Sequence, residues 1–102
     1  MALGPPRIKS RGEFEAELRE AIYQCDKRLQ QAPSWEPMKV VRRQLEAMRS
    51  WTEKMRTPTE EERKKINIGV IALRNFDDDT ELSDLCHELN YFFQEWPLAK
   101  GQ

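Results

Sequence analysis

The sequence lacks an excess of charge of either sign. Its 102 residues include 17 Lys and Arg against 18 Asp and Glu, which leaves a net charge of −1. A general nucleic-acid binder usually carries a clear basic excess, so this balance argues against nucleic acid as a partner. The length supports one domain with a modest hydrophobic core.

Long apolar runs are missing as well. The sequence contains no stretch of about 18 apolar residues, the length that spans a bilayer, and its first residues lack the apolar run of a secretory signal. We therefore expect a cytoplasmic protein that makes no membrane contact. In that compartment Cys25 and Cys86 are expected to stay free thiols, each buried on an apolar helix face.

Residues that usually carry catalysis or bind metals are scarce. His87 is the single histidine, and on a helix its neighbour Cys86 points about 100° away, so the two cannot form a nucleophile–base pair. Asp77, Asp78 and Asp79 are a conceivable Mg²⁺ site, but a turn with helix-capping carboxylates has the same sequence. We expect no enzymatic activity, no cofactor and no metal.

Helical periodicity is what the sequence has in abundance. Four segments carry apolar residues at steps of three and four, and no strand pattern competes with them. The stripes are Phe14, Leu18, Ile22, Cys25 and Leu29; Met38, Val41, Leu45, Met48 and Met55; Ile66, Ile68, Val70, Ile71, Ala72 and Leu73; and Leu82, Leu85, Cys86, Leu89, Phe92 or Phe93, and Trp96. The pattern predicts an all-α fold, a compact antiparallel bundle of about four helices.

We expect the bundle to be a single domain over residues 12–97. A flexible leader, residues 1–11, precedes it, and a flexible end, residues 98–102, follows it. The first helix is expected over 12–31.

Local signals indicate where the other helices begin. Ser34 is expected to cap the second helix. Thr57-Pro58-Thr59-Glu60 has the pattern of a capping box with proline at the first helical position, and it begins a third helix that runs to Leu73. Apolar residues cover more than one face of this third helix, which predicts that it is the most buried. Gly69 costs about 1 kcal/mol against alanine there, so we expect another helix to approach it closely.

Two features indicate a binding surface rather than an active site. The turn before the last helix places four carboxylates beside one aromatic ring. Its residues are Phe76, Asp77, Asp78, Asp79 and Glu81. Such a patch can mimic nucleotide phosphates or pair with arginines of a nucleotide pocket, although a solvated turn that caps the helix is the alternative. Trp35 and Trp51, near the two ends of the second helix, are candidate exposed anchors of an interface.

Residues of the last three predicted helices resemble a known family. The matching runs are Gln44-Leu45 with Arg49-Ser50, Ile68-Gly69-Val70-Ile71-Ala72 with Phe76-Asp77, and Asp79-Thr80-Glu81-Leu82-Ser83 with Leu85 and Tyr91. In this order and spacing they resemble bacterial type VI secretion immunity proteins, whose best-known member neutralises an NAD(P)⁺ glycohydrolase toxin. The resemblance covers roughly residues 35 to 92.

The resemblance implies a small, helical, cytosolic protein without catalysis that binds a toxin domain 1:1 and covers its active site. The implied toxin consumes NAD(P)⁺, transfers ADP-ribose or acts on another nucleotide. The matching residues are mostly apolar ones expected in the core, so they locate no interface. A structural or adaptor bundle that self-associates as a homodimer is the alternative, and a small helical enzyme is the least favoured reading.

Overall fold

A computed structural model describes residues 8–76 and 78–96, and within them every regular element is helical. The elements are α1 (Arg11–Gln31), α2 (Glu36–Trp51), a 3₁₀ turn (Glu53–Met55), α3 (Glu60–Lys64), α4 (Ile68–Asn75) and α5 (Thr80–Gln94). The predicted all-α bundle is confirmed. Most of the predicted leader and the predicted flexible end lie outside the described residues. Ile8, within the predicted leader, is buried in the core.

The four longer helices pack as a closed ring, since α1 contacts α2 and α5, and α4 contacts α5 and α2. The pairs α1–α2 and α1–α5 are antiparallel. Asp26, near the end of α1, pairs with Arg42 in the first half of α2 at 2.6 Å. Arg28, at the end of α1, pairs with Asp79 at the start of α5. Short connections join α1 to α2 and α4 to α5, so these neighbours in sequence pack antiparallel as well.

The ring has two distinct ends. At the aromatic end, α1 begins and α5 finishes, and the ring of Phe14 lies 5.3 Å from the rings of both Phe92 and Trp96. At the acidic end, α5 begins. The acidic end comprises Arg28, Trp35, Phe76, Asp78, Asp79 and Glu81. The core lies between the two ends and includes Cys25 and Cys86, which are buried free thiols as predicted.

Two predicted helix starts were wrong. Trp35, not Ser34, is the N-cap of α2, and no side chain caps that helix, which instead begins with Glu36 and Pro37. The capping box lies two residues later than predicted, with the Thr59 hydroxyl accepting from the Glu62 amide at 3.1 Å. The sequence also allows a box that starts at Thr57, because Glu60 follows it three residues later, as a capping box requires. Because Thr59 is the N-cap, Pro58 lies before the helix rather than inside it, and it is buried there.

The predicted third helix is broken, which is a second correction. The chain leaves helical geometry between α3 and α4, where Asn67 has φ −141° and ψ 34°. Gln44 of α2 holds the break from one side, donating to the Asn67 side chain at 2.7 Å and accepting from its amide at 2.8 Å. Gln94 of α5 donates to the carbonyl oxygens of Arg63 (2.8 Å) and Ile66 (3.3 Å). Backbone groups that a continuous helix would satisfy are thus satisfied by two distant side chains.

The prediction that this segment is the most buried was also wrong. α3 buries none of its residues, and α4 turns only Ile68, Gly69 and Ala72 fully inward. The reason is that α4 lies on one side of α5 and α2, so half of its apolar surface faces outward.

The predicted close approach at Gly69 is confirmed. A Cβ atom on Gly69 would lie 3.3 Å from Nδ1 of His87 and 3.5 Å from Cβ of Asn90. The Gly69 amide donates to Oδ1 of Asn90 at 3.1 Å. His87 is therefore half-buried in the α4–α5 seam rather than on the open surface.

Candidate functional site

The acidic end holds one exposed aromatic ring on a buried one. Trp35 is 36% exposed, and its ring centroid lies 5.5 Å from that of Phe76 in an edge-on arrangement. Phe76 is itself buried, so it supports Trp35 and offers little surface to a partner. The short connection between α1 and α2 and the end of α4 bring these two residues together, although they are 41 positions apart in the chain.

Asp79 has a structural role at this end. It is the N-cap of α5, where Oδ1 accepts from the Leu82 amide at 3.4 Å. Both carboxylate oxygens also accept from the guanidinium of Arg28, with Nη2 to Oδ1 at 3.0 Å. The hydrogen bond from Arg28 is the main reason that the pKa of Asp79 lies below its ordinary value. Asp79 thus ties the start of α5 to the end of α1.

The remaining carboxylates of this end point to solvent. Asp78 and Glu81 are both exposed, and Asp77 lies outside the described residues. The pKa of Arg28 is raised first by its hydrogen bond to Asp79 and further by the charge of Glu81. The acidic end therefore presents Trp35, Asp78 and Glu81 as its accessible groups.

Trp51 lies at the opposite end of the bundle. Its ring stacks on Phe93 at a centroid distance of 6.3 Å, and it is half-buried against the core. The two tryptophans predicted as anchors are therefore not brought together, because they stand at opposite ends of α2. Trp96 is also in the aromatic end and is buried.

The described residues hold little that could perform covalent chemistry. They contain no group of three or more His, Cys, Asp or Glu placed to hold a metal ion. Burial raises the pKa of Cys25 to about 12 and raises the pKa of Cys86 as well. Both thiols are therefore protonated near neutral pH, and the thiol is a far weaker nucleophile than the thiolate. What this arrangement can do is present a fixed surface to another molecule.

Sequence reasoning missed a second exposed surface, on the α4–α5 pair. Val70 and Leu73 of α4 and Tyr91 of α5 are among the most exposed large apolar side chains. Helical spacing could have predicted this surface. If Ile68 and Ala72 point into the core, Val70 and Leu73 must point away from it.

Comparison of the sequence with models of known protein families tests whether the chain belongs to a recognised family. The sequence model of the Tsi6 family matches residues 13–95, which include most of α1 and every later helix. The chain belongs to the Tsi6 family. Tsi6 is a family of type VI secretion immunity proteins, so the resemblance found in the sequence is confirmed.

Comparisons with curated proteins and with solved structures gave no match. The Tsi6 match therefore supplies the functional class, and membership of an immunity family implies a toxin as binding partner. No helix in the described parts of the chain is both long enough and apolar enough to cross a membrane.

Proposed function

We propose that this Tsi6-family protein protects its cell by binding the toxin domain of a type VI effector 1:1 and covering the toxin's active site. The family match over residues 13–95 carries the proposal. Inhibition by occlusion requires a surface that keeps its shape, not reactive groups. The chain supplies such a surface through caps on α1, α3 and α5 and a core shared by all the longer helices.

The target that we propose is a toxin that consumes NAD(P)⁺ or another nucleotide. Nucleotide pockets bind phosphates through arginines, lysines and free backbone amides. The accessible carboxylates of the acidic end, Asp78 and Glu81, suit such basic groups, and Trp35 beside them suits a pocket that accepts a flat ring. Complementary charge also speeds encounter of the two proteins. The protein itself contributes no catalysis in this mechanism.

A self-associating adaptor bundle is the second candidate function. The exposure of Val70 and Leu73 favours it, because exposed apolar patches also mark contacts between copies of a chain. The two candidates differ in the partner they require, so one experiment separates them.

Co-expression with the toxin domain encoded beside this gene tests the proposal. Growth and cellular NAD⁺ are followed with and without this protein, and size exclusion then reports whether a 1:1 complex forms. We expect restored growth, preserved NAD⁺ and a stable complex.

Other results separate the parts of the proposal. Rescue with a complex, when the unprotected toxin leaves NAD⁺ untouched, keeps the immunity role and moves the target to another nucleotide. Neither rescue nor complex overturns the proposal, and a dimeric bundle on its own would then support the adaptor.

A further inference from the structure

Three large apolar side chains on the outside of the α4–α5 pair do not pack into the core. Val70 is 48% exposed, Leu73 65% and Tyr91 63%. Large exposed apolar patches on soluble proteins mark interaction sites. We call this surface the α4–α5 face and define it by these three residues.

The contacts in the seam show that the three side chains share one side of the bundle. Gly69 of α4 lies against His87 and Asn90 of α5. Val70 and Tyr91 come one residue later in their helices, and with the two helices antiparallel both positions turn from the seam toward solvent. The half-buried His87 therefore lies between the two exposed side chains.

Leu73 extends the α4–α5 face toward the acidic end. It lies one helical turn beyond Gly69 and on the same outer side as Val70. It is one turn before Phe76, and Asp84 is likewise one turn after Glu81 on α5. Along both helices the α4–α5 face therefore extends toward the acidic end, where Glu81 is exposed.

α5 borders the α4–α5 face with negative charge only. From residue 79 to residue 96 the sequence has five carboxylates and no Lys or Arg. The carboxylates are Asp79, Glu81, Asp84, Glu88 and Glu95. Asp84 and Glu95 are exposed and lie on the side of α5 that carries Tyr91. The border on the α5 side is therefore acidic, whereas exposed Arg74, one turn after Val70, lies on the α4 side.

We propose that the α4–α5 face docks on an apolar patch of the toxin domain that is bordered by Lys and Arg side chains. This inference rests on the proposed function and adds the surface that performs it. An apolar centre with a charged rim is the usual anatomy of a protein interface, and the acidic border on the α5 side suits basic side chains of a partner.

Interface size supports this assignment. A stable complex of standard size covers about 800 Å² on each partner. One partly exposed tryptophan and two carboxylates at the acidic end cover far less than that. The α4–α5 face adds three large exposed side chains to that surface.

A second copy of this chain fits the α4–α5 face less well than a basic toxin does. A two-fold contact places the same patch of both copies together. Contacts of α5 with α5 of the partner copy would bring carboxylates together, and like charges in contact disfavour that arrangement. A basic toxin surface meets the same carboxylates with opposite charge.

Binding measurements with the catalytically inactive toxin domain encoded beside this gene test the inference. Leu73→Arg and Tyr91→Ala are expected to weaken the complex at least about tenfold, as loss of an interface anchor does. Asp84→Lys is expected to slow association and to weaken its dependence on salt. The substituted side chains are exposed, so the helical circular dichroism spectrum should be unchanged.

Matched controls lie on another side of the bundle. Tyr23, on α1, is 57% exposed and matches Tyr91 in type and exposure. Glu15, also exposed on α1, matches Asp84 in charge. Tyr23→Ala and Glu15→Lys are expected to bind the toxin domain like the unchanged protein.

Three results would overturn the inference, and each has a different meaning. Unchanged affinity of Leu73→Arg and Tyr91→Ala, with the unchanged protein still binding, removes this face and leaves the proposed function standing. A dimer in solution that Leu73→Arg converts to monomers assigns the face to a second copy. Absence of any complex with the unchanged protein removes the proposed function together with this surface.

Discussion

Gly69 lies where α4 packs closely against α5. A Cβ atom there would already lie 3.3 Å from Nδ1 of His87, closer than ordinary van der Waals contact. We expect Gly69→Leu to reduce the free energy of unfolding by about 1–3 kcal/mol or more, because the added atoms must displace α4 from α5. Urea denaturation followed by circular dichroism measures this change.

Gly12 provides the control for that substitution. It lies in the first turn of α1, and a Cβ atom there would be 4.0 Å from Oγ of Ser10. Gly12→Ala should therefore be neutral or stabilise by up to about 1 kcal/mol, since alanine is the better helix former. A Gly69→Leu variant as stable as the unchanged protein would contradict the packing described for the α4–α5 seam.

Asp79 should make the stability depend on pH. Arg28 lowers the pKa of Asp79 in the folded state, whereas in the unfolded chain this pKa is close to 3.9. The stabilisation from this pair is therefore fully present above about pH 4 and is lost as the pH falls through the lower, folded pKa. Asp79→Asn should destabilise the protein near neutral pH, by about 1–3 kcal/mol for a charge-assisted bond at a helix cap.

Unfolding at two pH values checks this prediction. The difference between Asp79→Asn and the unchanged protein should be large at pH 7 and should shrink at the most acidic pH at which both remain folded. Asp78→Asn is the control, because Asp78 is exposed at the same turn. A difference that is the same at both pH values would mean that the ionised pair with Arg28 contributes nothing.

At the scale of the element, the break between α3 and α4 depends on side chains far away in sequence. Gln94 donates to the carbonyl oxygens of Arg63 and Ile66 from 31 and 28 residues away. We expect Gln94→Ala to cost about 1–3 kcal/mol, because both carbonyls lose this donor in a partly buried place, although that of Arg63 keeps the Ile66 amide at 3.3 Å. Hydrogen exchange should rise in residues 60–68 first.

Gln30, exposed on α1, provides the control for that substitution. Gln30→Ala should leave hydrogen exchange in residues 60–68 unchanged. Equal protection of those residues in Gln94→Ala and the unchanged protein would show that the break is set locally instead.

The same break explains how far the sequence could predict the elements. α1, α2 and α5 have one apolar stripe each, and their existence follows from periodicity alone. The segment from Thr59 to Leu73 contains a good capping box and a dense apolar run, so local rules favour one long helix. The contacts from Gln44 and Gln94 that interrupt it are tertiary, and no local pattern records them.

At the scale of the whole molecule, the two predicted anchors should behave differently. The 16 residues of α2 separate Trp35 from Trp51 by roughly 24 Å. Trp35→Ala should weaken toxin binding with little change in stability, since the ring is partly exposed beside Phe76. Trp51→Ala should lower stability and leave affinity unchanged, since that ring stacks on Phe93.

Calorimetric titration with the inactive toxin domain, beside urea denaturation of each variant, separates the two effects. Asp78→Lys with Glu81→Lys is the matching charge test at the acidic end, because neither carboxylate pairs with Arg28 as Asp79 does. Full affinity of Trp35→Ala and of the charge-reversed variant would remove the acidic end from the interface.

The candidate site was predictable in part, for reasons of geometry. The cluster of carboxylates in the sequence is enough to single out the acidic turn. The structure places this turn at the start of the last helix, as predicted. The pairing of Asp79 with Arg28 joins residues 51 positions apart, and the support of Trp35 by Phe76 likewise needs the helices to be assembled. Which carboxylates remain accessible to a partner is therefore a property of the assembled ring.

The two glutamines at the α3–α4 break have a consequence for behaviour in acid and in salt. The ion pair of Arg28 with Asp79 weakens when the carboxylate takes up a proton or when ions accumulate around the pair. The amides of Gln44 and Gln94 carry no ionisable proton in this range, so their hydrogen bonds are indifferent to both conditions. Acidification should therefore weaken the ion pair, while the hydrogen bonds of Gln44 and Gln94 keep α4 in position against α2 and α5.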